Sequence, residues 1–323
     1  MTQLAQTLGH ALGHALMQGP DGLAYIDIRN DHVHACVGLQ GAQVLKWQPQ
    51  HAREPVLWLS NNARYGRGKS VRGGIPVCWP WFGPHANDKT LPAHGFARNL
   101  PWLLRDAQAR SDGSTALVLQ LANAPVAGAD GKPIAIERMW PHAFALELHV
   151  VVGASLQLVL HTRNGSPSDV WIGEALHTYF HVGEVSQARV YGLENREFAD
   201  RVGGEFRRKQ AGPVRCEGEV DRVYFDDGPE CIIDDPVFAR RIRVRKSGSA
   251  ATVVWSPGSE KARRLGDLGI AGDGREGWRE MLCVETANAL EACVRVPAGA
   301  EHRMSLEISV ENREFGSEER TAR

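Results

Sequence analysis

Apolar positions along the chain recur in two different rhythms. Leu4, Leu8, Leu12 and Leu16 fall four residues apart, the spacing of one helical face, which predicts a short amphipathic N-terminal helix within residues 1–20. From about Leu23 the pattern changes to short runs of β character, as in LAYIDIRN, HVHACVGLQGAQVLKW, TALVLQLA and FALELHVVVGASLQLVLHTRNGS, punctuated by Gly, Pro, Asn and Asp. VSQARVYGL, CIIDD, RIRVRKSGSAATVVWSPG, EMLCVETANAL, ACVRVPAG and HRMSLEISVEN carry the same character almost to the end. Many short strands without helical runs between them predict an all-β fold, a sandwich or a barrel. The segment SPGSEKARRLGDLGIAGDGREGW, rich in glycine and charge, predicts a long loop between two strands. No linker, low-complexity stretch or repeat period interrupts the series, so residues 21–315 read as one domain and residues 316–323 as a polar tail.

Composition narrows the function classes. The 323 residues suffice for a large all-β core that needs no disulfide staples. Lys plus Arg (37) balance Asp plus Glu (38), so no whole-protein field gathers nucleic acid or an anionic membrane, and any anion preference must come from local arginines. The six cysteines form neither a CxxC pair nor a zinc-spaced cluster, and most read as small buried hydrophobes in a reducing compartment. His10 and His14 share a helical face but have no third ligand nearby, so no metal is assigned. The N-terminus lacks a basic n-region with an unbroken apolar stretch, and no run approaches a membrane span; a cytoplasmic location is the expectation.

Three stretches are richer in costly residues than packing requires. SVRGGIPVCWPWFGPH, residues 70–85, sets Arg72 before a glycine pair and the aromatics Trp79, Trp81 and Phe82. Glycines admit close backbone approach to a ligand, and aromatic rings offer faces for sugar C–H groups; a buried aromatic core with a surface arginine is the competing explanation. LPAHGFARNLPW places His94 and Arg98 four residues apart, a hydroxyl-binding imidazole beside a guanidinium suited to phosphate or carboxylate. EALHTYFHVG and MLCVETANA embed Glu174, His177, His181 and Glu285 in apolar, strand-like segments, where an unpaired charge costs several kcal/mol. Such residues are paired structurally or are functional. Asp221, at the start of DRVYF, reads first as a turn cap.

Taken in order, VRGGIPVCWPWFG, LPAHGFARNLPW, ALHTYFHVG, DRVY and MLCVETA resemble the hexose-6-phosphate mutarotase branch of the aldose 1-epimerase family, also called glucose-6-phosphate 1-epimerases. The resemblance implies a large antiparallel β-sandwich of the galactose mutarotase type, a supersandwich with few short helices, carrying an open sugar groove on one sheet. It implies His177 as general acid and Glu285 as general base, His94 and Asp221 on sugar hydroxyls, and Arg72 and Arg98 on the 6-phosphate. It implies no cofactor and no metal. The partner is a small sugar phosphate, and the protein is expected as a monomer or weak homo-oligomer.

The chemistry suits these residue types. Anomerisation takes a proton from the O1 hydroxyl while O5 accepts one, opening the ring; rotation about C1–C2 and the reverse transfers close it on the other face. With reference pKa values near 4.3 for Glu and 6.5 for His, modest tuning leaves Glu285 ionised and His177 protonated, or lets the two share a proton, near pH 7. A free-hexose aldose 1-epimerase keeps the pair without needing the arginines. A carbohydrate-binding module explains the aromatics but not an acid/base pair in apolar strands. A glycosidase, with Glu174 or Asp221 beside Glu285, ranks last because nothing fixes the carboxylate separation.

Overall fold

The computed structural model describes residues 14–19, 22–121, 126–127, 133–204, 206–226, 228–271 and 273–313. Two eight-stranded sheets dominate it. In the outer sheet the spatial order is Arg189–Tyr191, Glu230–Asp235, Arg240–Ser247, Glu301–Asn312, Leu156–Asn164, Phe144–Val152, Thr115–Leu121 and Trp102–Ala109. The second runs Phe206–Lys209, Glu197–Asp200, Val220–Phe225, Ala251–Ser256, Met281–Asn288, Glu174–Leu176 and Val77–Cys78, with Tyr179–His181 also paired to Met281–Asn288. All pairings within these two sheets are antiparallel, as expected of the predicted sandwich. A four-stranded sheet, His14–Gln18, Ala24–Arg29, Val33–Gly38 and Val44–Pro49, joins them.

Side-chain alternation separates the two large sheets. Thr115–Leu121 and Phe144–Val152 bury every second residue, the signature of a strand with one face on the core. Leu146, Leu148 and Val150 from the outer sheet meet Leu176, Tyr224, Val254, Leu282 and Val284 from the second in one continuous apolar core. Met281–Asn288 departs from this pattern, being buried at every position. Its second face lies under further protein, and Glu285 is on that face.

Two sequence expectations are corrected here. His14–Gln18 is a strand paired with Ala24–Arg29, not part of a helix; residues 1–13, with His10 and the rest of the expected helix, lie outside the described residues, as does the tail 316–323. Positions four apart share a side in a strand as well as a helix, so the leucine spacing did not separate the two. The expected loop after Ser256 contains the helix Gly258–Leu265. Its SEKARRL core consists mostly of strong helix formers, Glu260 and Arg263/Arg264 suit the helix dipole, and Gly266 closes it at φ 67° with its N–H on the Ala262 carbonyl. Among the described residues the other α-helix is the single turn Ile136–Met139.

Candidate active site

Strand register assembles the site. Leu176 faces Thr286 and Tyr179 faces Cys283, so the antiparallel register is the same on either side of the kink at residues 177 and 178. His177 consequently stands opposite Glu285, itself opposite Val253 and, beyond it, Val223. The next row on the same face is Tyr179, Cys283, Trp255 and Asp221. Asp221 is therefore inside the strand Val220–Phe225 rather than capping a turn.

Nε2 of His177 lies 3.3 Å from Oε1 of Glu285. Both are buried, at 8% and 1% exposure. The imidazole stacks on Tyr179 at 4.7 Å and 11°. Burial first, then the nearby His94, Arg98 and Arg72, holds the His177 pKa well below its usual value. Burial, reinforced by Asp221, pushes Glu285 well above the carboxylate range. Of the two expected arrangements, burial disfavours an ionised Glu285 beside a protonated His177 and favours a neutral pair whose shared proton is on the carboxyl. A sequence does not reveal that a strand is covered on both faces, and that covering decides the direction.

All six predicted residues, Arg72, His94, Arg98, His177, Asp221 and Glu285, line one groove of about 330 Å³. Arg72 donates from Nη1 to the Tyr179 hydroxyl at 3.0 Å and from Nε to Asp267 at 3.1 Å, so it is a fixed part of the wall rather than a surface arginine. Arg98 donates from Nη2 to the Ala93 carbonyl at 2.8 Å, and its buried Nε has no hydrogen-bond partner. His94 is neutral, its pKa lowered to about 3 by burial and by Arg98, Arg201 and Arg72. The Gly83 N–H points at its Nδ1 from 3.4 Å, which leaves the Nε2–H tautomer as a donor. Burial raises the pKa of Asp221, against the pull of Arg201 and Lys261.

The glycines have other duties than the sequence suggested. A Cβ on Gly74, at φ 62°, would sit 2.2 Å from the Val44 carbonyl oxygen. The glycine at this position lets the chain pass against its own backbone rather than a ligand. Gly95, at φ 73°, leaves room for only 1.9 Å between a Cβ and the Trp79 carbonyl oxygen. The preceding His94 is itself at φ 65°. Of the aromatics, Trp79 is in the core, while Phe82 lines the groove edge-on to His94.

Two cations of the groove, Arg201 and Lys261, were not singled out from the sequence. Arg201 follows the strand Glu197–Asp200 and is anchored by its N–H on the Asp221 carbonyl. Lys261 is on the helix read as loop, 2.7 Å from Glu219 and 3.8 Å from Asp221. The remaining Glu and His of EALHTYFHVG are structurally paired: Glu174 accepts from Asn288 and lies 2.8 Å from Nε2 of His302, and His181 lies 3.6 Å from Glu280. His177, Glu285 and Cys283 are close enough to hold a metal ion. Burial holds the Cys283 thiol well above its ordinary pKa.

A family model described as Aldose 1-epimerase matches residues 25–309. The chain belongs to the aldose 1-epimerase family. It is accordingly an epimerase, an isomerase acting on sugars. An Escherichia coli (strain K12) relative named "Putative glucose-6-phosphate 1-epimerase" is 37% identical over 272 residues, 84% of this chain and 85% of that protein. The crystal structure of a Salmonella typhimurium protein titled "putative mutarotase (YeaD)" superposes with a TM-score of 0.82 at 32% identity, covering 94% of this chain and 96% of the other. A galactose mutarotase-like protein from Lactobacillus casei shares the fold, with a TM-score of 0.64 at 15% identity over 89% of this chain and all of that one (100%). The predicted all-β sandwich of the galactose mutarotase type is the fold of this epimerase.

Proposed function

We propose that this aldose 1-epimerase interconverts the α and β anomers of a hexose 6-phosphate, glucose 6-phosphate foremost, with Glu285 as the base at O1 and His177 as the acid at O5. The observation that carries the reading is the 3.3 Å separation of Nε2 and Oε1 in a groove also lined by Arg72, Arg98, Arg201 and Lys261. O1 and O5 are bonded to the same carbon, so two adjacent proton-transfer groups reach both. The shared proton first passes from Glu285 to His177 across the 3.3 Å contact; Glu285 then takes the O1 proton as His177 delivers one to O5, the C1–O5 bond breaks, and the aldehyde forms. After rotation about C1–C2, Glu285 returns its proton to O1 and His177 removes the one on O5.

The pair carries one proton throughout, and the open-chain stage is the one with neutral His177 and protonated Glu285. Burial favours that same distribution. The site therefore lowers the cost of the aldehyde stage, which is sparsely populated in water. Positioned proton transfer contributes typically ~10²–10⁴-fold to such a step.

Arg72 and Arg98 are assigned to the phosphate, and His94 and Asp221 to ring hydroxyls. A phosphate provides acceptors for the partnerless Arg98 Nε, and sugar hydroxyls provide donors for the partnerless Oε2 of Glu285. The name of the E. coli relative, a glucose-6-phosphate 1-epimerase, supports a phosphorylated substrate. Free hexose is the second reading, favoured by the engagement of two Arg72 donors with Tyr179 and Asp267. Turnover of glucose 6-phosphate beside glucose decides: a kcat/KM advantage for the phosphate ester supports the proposal, and equal values or a preference for glucose rejects it. Six free cysteines fit a cytoplasmic enzyme, and we assign it there as a monomer or weak homo-oligomer. No described helix is long and apolar enough to cross a membrane.

A further inference from the structure

The outer sheet carries a second cluster of chemically capable side chains, remote in the strand order from the sugar groove. On the face turned away from the sandwich core, Glu147 and His149 are two residues apart on Phe144–Val152, and His161 on Leu156–Asn164 is directly opposite Glu147. Two side chains from one strand and a third from its antiparallel neighbour thereby converge on one patch, with ligand atoms of all three within 4.8 Å of one another. We propose that Glu147, His149 and His161 form a binding site for a borderline divalent cation of the Zn²⁺ type.

The donor set and spacing argue for that ion. Two imidazoles and a carboxylate are the ligand types that zinc accepts, whereas Mg²⁺ and Ca²⁺ prefer all-oxygen surroundings. Neighbouring ligands of a tetrahedral zinc, each ~2.0–2.1 Å from the metal, lie ~3.3 Å apart. Nε2 of His149 is 3.2 Å from Oε2 of Glu147, already at that spacing. His161, whose side chain is 16% exposed, closes the triangle by rotation of its ring. Glu301 approaches Nε2 of His161 at 3.0 Å, the kind of carboxylate partner that orients metal-bound imidazoles. Arg303, opposite His161 in register, lies 3.8 Å from the same Glu301 oxygen. Three protein ligands and a solvent position complete the coordination. The cluster is accessible, with side-chain exposures of 43% for His149 and 32% for Glu147, so the ion enters from solvent.

The site shares no residue with the groove, so its test is independent of the sugar chemistry. Metal-stripped full-length protein is titrated with ZnCl₂ by calorimetry, beside His149→Ala, His161→Ala and Glu147→Gln, and bound Co²⁺ is followed by visible absorption. The expected result is one ion per chain, at least tenfold weaker binding in each His variant, loss of the tetrahedral Co²⁺ spectrum, and anomer exchange unchanged from wild type in all three. Unchanged exchange also establishes that the variants are folded. Zinc affinity equal to wild type in both His variants, or no saturable binding to wild type at micromolar metal, overturns the proposal.

Discussion

His177 and Glu285 face each other across two antiparallel segments whose register is the same before and after the kink that carries the histidine, with Nε2 3.3 Å from Oε1. The pair is thus set by the sheet and not by a loop. Its chemistry follows from a strand buried on both faces.

A raised carboxyl pKa is a stability cost that grows with pH. The unfolded chain releases the Glu285 proton above its ordinary pKa of about 4.5, while the folded chain retains it, so folding stability falls as pH rises from there toward the elevated folded value. Each pKa unit is worth about 1.4 kcal/mol. Glu285→Gln removes the cost. The Tm difference between this variant and wild type is expected to widen in the variant's favour from pH 5 to pH 8; a constant or shrinking difference contradicts the burial argument.

The lowered His177 pKa has its own signature. A second proton joins the pair only well below pH 6.5, so the catalysed kcat, corrected for the uncatalysed rate, is expected to hold level as pH falls from 7 to 5.5. Measuring kcat rather than kcat/KM keeps the ionisation of the free phosphate out of the profile. A fall centred on pH 6.5 would mean that His177 titrates as an exposed imidazole does.

Arg98 tests the phosphate assignment. A charge-assisted hydrogen bond is worth about 1.5–3 kcal/mol, roughly tenfold to a hundredfold in affinity. Arg98→Gln is expected to raise KM for glucose 6-phosphate by a factor in that range and to change KM for glucose little. Equal effects on both sugars would place Arg98 away from the phosphate.

Much of this was legible in the sequence because the informative residues break local rules. A glutamate inside MLCVETA and a histidine inside ALHTYF contradict their apolar surroundings, and RGGIP and HGFAR join backbone-permissive glycines to cations. The five residues singled out in those segments, Arg72, His94, Arg98, His177 and Glu285, line one groove, together with Asp221, which read first as a turn cap and entered only through the family resemblance. Arg201 and Lys261 were not legible, since a cation after a strand or on a charged helix looks like any solvated residue until the sheet brings Asp221 beside both. The helix Gly258–Leu265 was hidden by the glycines that bound it. The protonation of the pair depended on burial from both sides, which alternation in a single strand does not encode.

The most direct test is NMR exchange spectroscopy between α- and β-glucose 6-phosphate with wild type, His177→Ala and Glu285→Gln at neutral pH. Wild type is expected to accelerate exchange, and each variant to lose nearly all of the acceleration while still binding the sugar phosphate. Full catalysed exchange in either variant would contradict the account.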